Sequence, residues 1–186
     1  MQISSWLSVT LVAALGVSSL THSTARAVQL ADGLTHFERP PSLIKASTPH
    51  NRVAERNAGY YFDLRVHENA GEPLQKVVIA QENGNTAFSA VDFDLAKTRA
   101  YFGSRRRRGE KVRIDEVTWD GELQAVIVNF NPPIAPGTDL TLRLHAYNNP
   151  GLIGVYLFGV TAFPAGEETQ GQFIGFGRLQ FFNRFF

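Results

Sequence analysis

The chain contains no cysteine. That excludes disulfide staples, thiol nucleophiles, thiolate metal sites and lipid attachment through a thiol. An excess of one charge is missing too: 18 Lys and Arg stand against 17 Asp and Glu. Without a global field, the chain is not drawn onto nucleic acid or an anionic membrane. No G-x-S-x-G is present, and Ser42, Ser47, Ser89 and Ser104 sit in polar or turn-like stretches with no His beside them in sequence. His36, His50, His67 and His145 are scattered, with neither H-x-H nor H-E-x-x-H spacing, so zinc and copper are not expected. Nor is any cofactor.

What is present begins with an apolar stretch, Trp6 to Leu20, followed by a polar segment ending Ala25-Arg26-Ala27. An h-region of that length with an A-x-A site is a cleavable signal peptide, although no Lys or Arg precedes it. The stretch is shorter than the roughly 20 residues a membrane-spanning helix needs. Residues 1–27 are therefore expected to be removed, leaving 28–186 as one exported domain that does not span the membrane. Arg26 leaves with the leader, so the mature chain carries 17 basic and 17 acidic residues. The general secretory route fits better than the twin-arginine one.

With 14 Phe, 16 Gly and 9 Pro, the composition favours strands broken by turns. Tyr60 to His67 alternates: Tyr60, Phe62, Leu64 and Val66 on one side, Tyr61, Asp63, Arg65 and His67 on the other. Asp139 to Tyr147 repeats the pattern, with Leu140, Leu142, Leu144 and Ala146 against Thr141, Arg143, His145 and Tyr147. Leu43 to Ser47 reads as an edge strand and Lys76 to Gln81 as a further strand. Lys111 to Trp119 and Leu123 to Phe130 flank Asp120-Gly121, a strong hairpin signal. The first arm slips near Asp115-Glu116, as at a bulge. Pro136-Gly137 turns the chain, and Asn149-Pro150-Gly151 suits a type II turn. Leu152 to Phe163, apolar on both faces, reads as a central strand covered on each side; Gln172 to Phe182 reads as the last strand. Asp94 to Phe102 suggests one short helix, capped by Asp94 and closed by Gly103. The expected fold is all-β: an immunoglobulin-like β-sandwich of about seven to eight strands with one short helix near 94–102.

Several segments resemble a family of exported cyanobacterial proteins classed as a domain of unknown function. They are Glu68-Asn69-Ala70-Gly71-Glu72-Pro73-Leu74-Gln75, Arg107-Arg108-Gly109-Glu110, Asn131-Pro132-Pro133 through Pro136-Gly137-Thr138, Asn149-Pro150 through Tyr156 to Gly166, and Gly175-Phe176-Gly177-Arg178-Leu179. The resemblance implies a β fold and an exported location. It assigns no catalytic or binding residue.

The candidate ligand-binding residues come in two groups. Arg105, Arg106, Arg107 and Arg108 place four guanidinium groups in one loop, where bidentate contacts would hold sulfate, phosphate or uronate groups. The plainer reading is a solvated loop paired with Glu110, Asp115 and Glu116. The outward rows supply Tyr61, Arg65, His67, Arg143, His145 and Tyr147. Were the two strands neighbours, these would form one polar face suited to a sugar or a partner protein; the plainer reading is the wet side of a sandwich. A hard-cation site would draw on Asp92 and Asp94 with Glu82, Asn83 and Asn85, although Asp94 has a cap to make. No carboxylate pair is singled out for glycoside hydrolysis. The Phe-rich end, Phe181 to Phe186, does not alternate as a barrel strand facing lipid must.

These readings point to a non-enzymatic binding or structural module of the cell envelope or extracellular matrix. Its partner is expected to be an anionic glycan or an envelope protein. The alternative is a hydrolase or lyase on envelope polysaccharide, for which a cleft with two carboxylates or a raised carboxyl pKa would speak. N-terminal sequencing of the protein recovered from the exported fraction is expected to start at Val28; an intact leader on cytosolic protein would overturn the export reading.

Overall fold

A computed structural model describes residues 28–29, 33–82 and 90–183. The leader, Asn83 and Asn85, and Arg184 to Phe186 lie outside the described residues. The elements are β1 (Val28–Gln29), β2 (Thr35–His36), β3 (Ser42–Ser47), β4 (Arg56–Val66), β5 (Leu74–Gln81), a 3₁₀ turn (Leu95–Lys97), β6 (Arg99–Ser104), β7 (Arg107–Val112), β8 (Ile114–Asp120), β9 (Ala125–Ile134), β10 (Thr138–Asn148), β11 (Gly154–Pro164) and β12 (Gln172–Phe181). Two five-stranded antiparallel sheets form the sandwich, in the orders β3-β4-β10-β6-β7 and β12-β11-β5-β9-β8. We call them sheet I and sheet II. The short pair β1–β2 stands apart from both. The architecture is an immunoglobulin-like sandwich with more strands than the sequence suggests. Among the described residues, no helix is long and apolar enough to cross a membrane.

Period-two alternation builds the core. Tyr60, Phe62, Leu64 and Val66 of β4 face inward beside Leu140, Leu142, Leu144 and Ala146 of β10, all of them buried. Sheet II answers with Val77 and Ile79, Val126, Val128 and Phe130, Phe158, Val160 and Ala162, and Leu179 and Phe181. Aromatic edges interlock at the centre: Tyr60 lies 5.7 Å from Phe158, and Phe62 lies 6.0 Å from the same ring. The Tyr60 hydroxyl donates to Asn149 Oδ1 at 2.8 Å. Asn149 in turn donates to the carbonyls of His50 and Arg52. A buried phenol thus keeps a partner, and the loop before β4 is tied down.

Several expectations change. The helix near 94–102 shrinks to one 3₁₀ turn, and Asp94 makes no side-chain cap. Arg99 to Ser104 is strand instead, because Ala100 and Phe102 pair with Leu142 and Leu140 of β10. Leu95 and Phe102 fit a helical face by spacing alone, but a vacant edge on β10 outweighs so short a helix. The arm Lys111 to Trp119 is two strands: the chain leaves sheet I after Val112 and enters sheet II at Ile114. The expected bulge is there, between Ile114 and Glu116. Gly151 is not among the glycines with positive φ, so the Asn149-Pro150-Gly151 segment does not make the type II turn, whereas Gly137 has φ +79°. β11 is second from an edge and its outer face is only partly covered: Val155 there is 42% exposed, while Gly159 lies under the rings of Phe173 and Phe176.

Gly177 shows how closely the sheets approach. A Cβ there would lie 2.7 Å from Ala46 Cβ and 2.8 Å from Phe62 Cε1. Gly177→Ala is expected to destabilise the fold by about 1–3 kcal/mol. Urea unfolding would read this as a lower midpoint at unchanged m-value.

Candidate functional site

The outer face of sheet I is built on the pairing of β4 with β10. Arg143 lies opposite Tyr61, Thr141 opposite Asp63 and Asp139 opposite Arg65. The two outward rows therefore do belong to neighbouring strands. Gly59 lies opposite His145 in the same pairing. A Cβ at Gly59 would come within 3.1–3.2 Å of the Tyr61 ring and Arg143 Nε, so only glycine leaves both side chains their present places.

The Arg run is not a loose loop. Ser104 pairs with Arg107, which leaves Arg105-Arg106 as a two-residue hairpin turn, and Arg107 and Arg108 begin β7. Gly103 has φ +81°, and a Cβ there would strike the Arg107 carbonyl oxygen. This bend lays the hairpin tip over the face. The Arg105 backbone N–H donates to Asp63 Oδ1 at 3.2 Å, and its guanidinium reaches Ser47 Oγ at 3.5 Å. Thr141 Oγ1 donates to the same Asp63 oxygen at 2.6 Å.

Guanidinium groups gather around Tyr61, whose ring is itself buried. Arg105 lies 4.9 Å, Arg108 5.5 Å and Arg143 6.0 Å from the ring centroid, and Arg108 also lies 5.4 Å from Tyr101. Beside them opens a cleft of about 530 Å³ lined by Lys45, Ser47, Asp63, Ser104, Arg105, Arg106 and Arg108. Four cations face one carboxylate there. Among the described residues, the ion pairs are Arg65–Asp139 and Lys97–Asp94, and none of the four consecutive arginines forms one. The expected pairing with Glu110, Asp115 and Glu116 does not occur.

The remaining candidates separate. Arg65 and His67 line an adjoining cleft of about 750 Å³. Arg107 is exposed on β7 but does not line the cation cleft. Tyr147 is 50% exposed at the far end of β10. His145, expected to face solvent, is buried, and neither ring nitrogen has a hydrogen-bond partner. Burial, with Lys97, Arg143 and His50, pulls its pKa below the usual imidazole value against the opposing pull of Asp94. Asp94 is held by Lys97 at 2.9 Å, and among the described residues, which leave out Asn83 and Asn85, no group of three or more His, Asp or Glu residues is placed for a cation.

Two arrangements were invisible in the sequence. Ser42 Oγ lies 2.7 Å from His67 Nε2, although 25 residues separate them. Among the described residues no acid is hydrogen-bonded to the His67 ring; the nearby Asp139 has its oxygens on Arg65, at 2.7 and 3.0 Å. Burial and the nearby Glu38 raise the pKa of Glu72, which is buried and lines neither cleft.

A family model described as a protein of unknown function, DUF2808, matches residues 34–181. The chain belongs to the DUF2808 family. No curated protein matches this DUF2808 chain. Among solved structures, it is similar to the N-terminal domain of the Streptococcus gordonii adhesin Sgo0707, at 10% identity and a TM-score of 0.51, covering 78% of this chain and 33% of that one. The chain thus spans about a third of that structure. It also matches a collagen-binding domain from a Staphylococcus aureus adhesin, at 7% identity and a TM-score of 0.38, covering 69% of this chain and 89% of that one. At such identities the Sgo0707 likeness establishes the sandwich fold and nothing more.

His145 gives the DUF2808 face a pH signature. An unfolded chain gains its proton as pH falls through 6.5, whereas the folded chain holds the ring neutral until lower pH. Stability present above that value is therefore lost on acidification. The thermal midpoint is expected to fall between about pH 7 and pH 5, with a shallower slope in His145→Leu. An identical slope in the variant would place the titration elsewhere.

Proposed function

We propose that the chain is an exported, non-enzymatic binding module of the cell envelope or extracellular matrix, holding an anionic glycan on the outer face of sheet I. One observation carries this reading: Lys45, Arg105, Arg106 and Arg108 line one cleft, and its single carboxylate, Asp63, already accepts two hydrogen bonds. Like charges this close repel, and an anion between them relieves the repulsion. Contact with Tyr61 holds Arg105 and Arg108 in place before a ligand arrives, which lowers the ordering cost of binding. Planar guanidinium groups suit carboxylate or sulfate through paired hydrogen bonds.

The leader in the sequence supports placement outside the inner membrane. A hydrolase is favoured less. Glu72, whose carboxyl pKa is raised, lines neither cleft, and among the described residues no acid is hydrogen-bonded to the His67 ring, the nearby Asp139 being paired with Arg65.

The protein, expressed with its leader and recovered after export, is expected to bind immobilised polygalacturonate and to elute with salt, but to pass through neutral dextran. Replacing Arg105, Arg106, Arg107 and Arg108 together with Ser is expected to abolish retention. Unchanged retention of that variant, with its thermal midpoint preserved, would discard the site.

A further inference from the structure

We infer that the adjoining cleft is a second subsite, and that the ligand is a linear glycan placing an acidic unit in the cation cleft and an uncharged sugar unit in its neighbour. This rests on the anionic-glycan reading above. The two clefts are neighbours. Gly103 lines one and Ser104 the other; Asp63 lines one and Arg65 the other. Asp63 and Arg65 are successive positions on the same face of β4, so their side chains emerge about 7 Å apart. A polymer lying along β4 meets both.

The chemistry of the second cleft differs from that of the first. Its charged lining residues balance, Arg39 and Arg65 against Glu68 and Asp139, and Arg65 and Asp139 already pair. It therefore offers no surplus charge for a second anion. It offers instead an apolar surface rimmed by hydrogen-bonding groups. Phe102 pairs with Leu140 on β10 yet stays 38% exposed. Around it stand Asn69, Arg39, His67 and Thr138. Arg39 Nη1 donates to Asn69 Oδ1 at 3.5 Å, leaving the Asn69 amide N–H groups for a ligand. A pyranose presents the matching surface: a C–H face for the ring and hydroxyls for the rim. The volume of about 750 Å³ falls within the range of small-ligand sites. An acidic peptide would find its second carboxylate unmatched here.

Two probes separate this inference from the reading beneath it. Hyaluronan oligosaccharides alternate an acidic with an uncharged sugar; oligogalacturonate is acidic throughout. Calorimetry on the whole exported protein is expected to show that Phe102→Ala weakens hyaluronan binding by about tenfold or more and leaves oligogalacturonate binding unchanged. Asn69→Ala, at a surface loop position, is expected to do the same in smaller measure and guards against misfolding of the Phe variant. The quadruple Arg→Ser variant is expected to lose both ligands. If both single variants bind hyaluronan as the parent does while the quadruple variant binds neither, the second subsite is wrong and the anion site stands. Polyglutamate binding as tight as hyaluronan, and indifferent to Phe102→Ala, would assign the face to an acidic protein instead. Failure of the parent to bind any of the three would sink the anion site itself.

Discussion

The antiparallel pairing of β4 with β10 is the constraint on which the rest of the structure depends. It runs over ten residue pairs, from Thr138↔Val66 to Asn148↔Arg56. Because successive side chains alternate, one register decides both what is buried and what is displayed. A slip of one residue would turn Phe62 and Leu64 outward and drive Asp63 and Arg65 into the core. Local contacts fix both ends. Gly137 N–H bonds to the Val66 carbonyl at one end, and the Tyr60–Asn149 hydrogen bond closes the other. Between them, Arg65 and Asp139 face each other as a cross-strand pair of opposite charge.

That register also explains why the arginines crowd. Tyr61 and Arg143 become cross-strand partners, and Gly59 supplies the space in which the guanidinium lies beside the ring. The left-handed bend at Gly103 then folds the β6–β7 tip over β10. Two hydrogen bonds to one oxygen of Asp63, from the Arg105 backbone and the Thr141 hydroxyl, hold the tip down. Fold and site are one arrangement seen from two sides of a sheet. Core side chains fix the strands, and the strands fix the spacing of the cations.

Much of this was legible where the information is local. The alternations at Tyr60–His67 and Asp139–Tyr147 and the slip near Asp115-Glu116 depend on a few neighbouring residues, and each is present; a hairpin forms at Asp120-Gly121 too, but it closes through a loop at 121–124 that takes Leu123 out of the second strand. What could not be read is non-local. Nothing near Arg105 indicates that Asp63, 42 positions earlier, will receive its N–H. Nothing near Ser42 points to His67. The helix expected near 94–102 failed for the same reason, since the decisive partner, the free edge of β10, lies some 40 residues on. His145 was read as outward because strand alternation is blind to what covers a face. The rows did become neighbours, but they split into a cation cleft, a charge-balanced cleft and a buried imidazole.

A balanced overall charge and a strongly basic cleft are compatible because screening makes charge local. At physiological ionic strength a field decays over about 8 Å. The near-balance of charge over the whole chain therefore says little about a ligand in contact with Arg105 and Arg108. Along the outer face, Arg65–Asp139 and Lys97–Asp94 are neutralised pairs, while the cations around Tyr61 are not. The contrast lies in backbone placement. Asp139 is brought opposite Arg65 by strand pairing, whereas the β6–β7 tip lies over an aromatic ring and a carboxylate that already accepts hydrogen bonds. An aromatic ring steadies a guanidinium without cancelling its charge. A tip held in that way remains ordered and still basic, which is the state a surface needs if it is to meet a polyanion at short range and ignore it at long range.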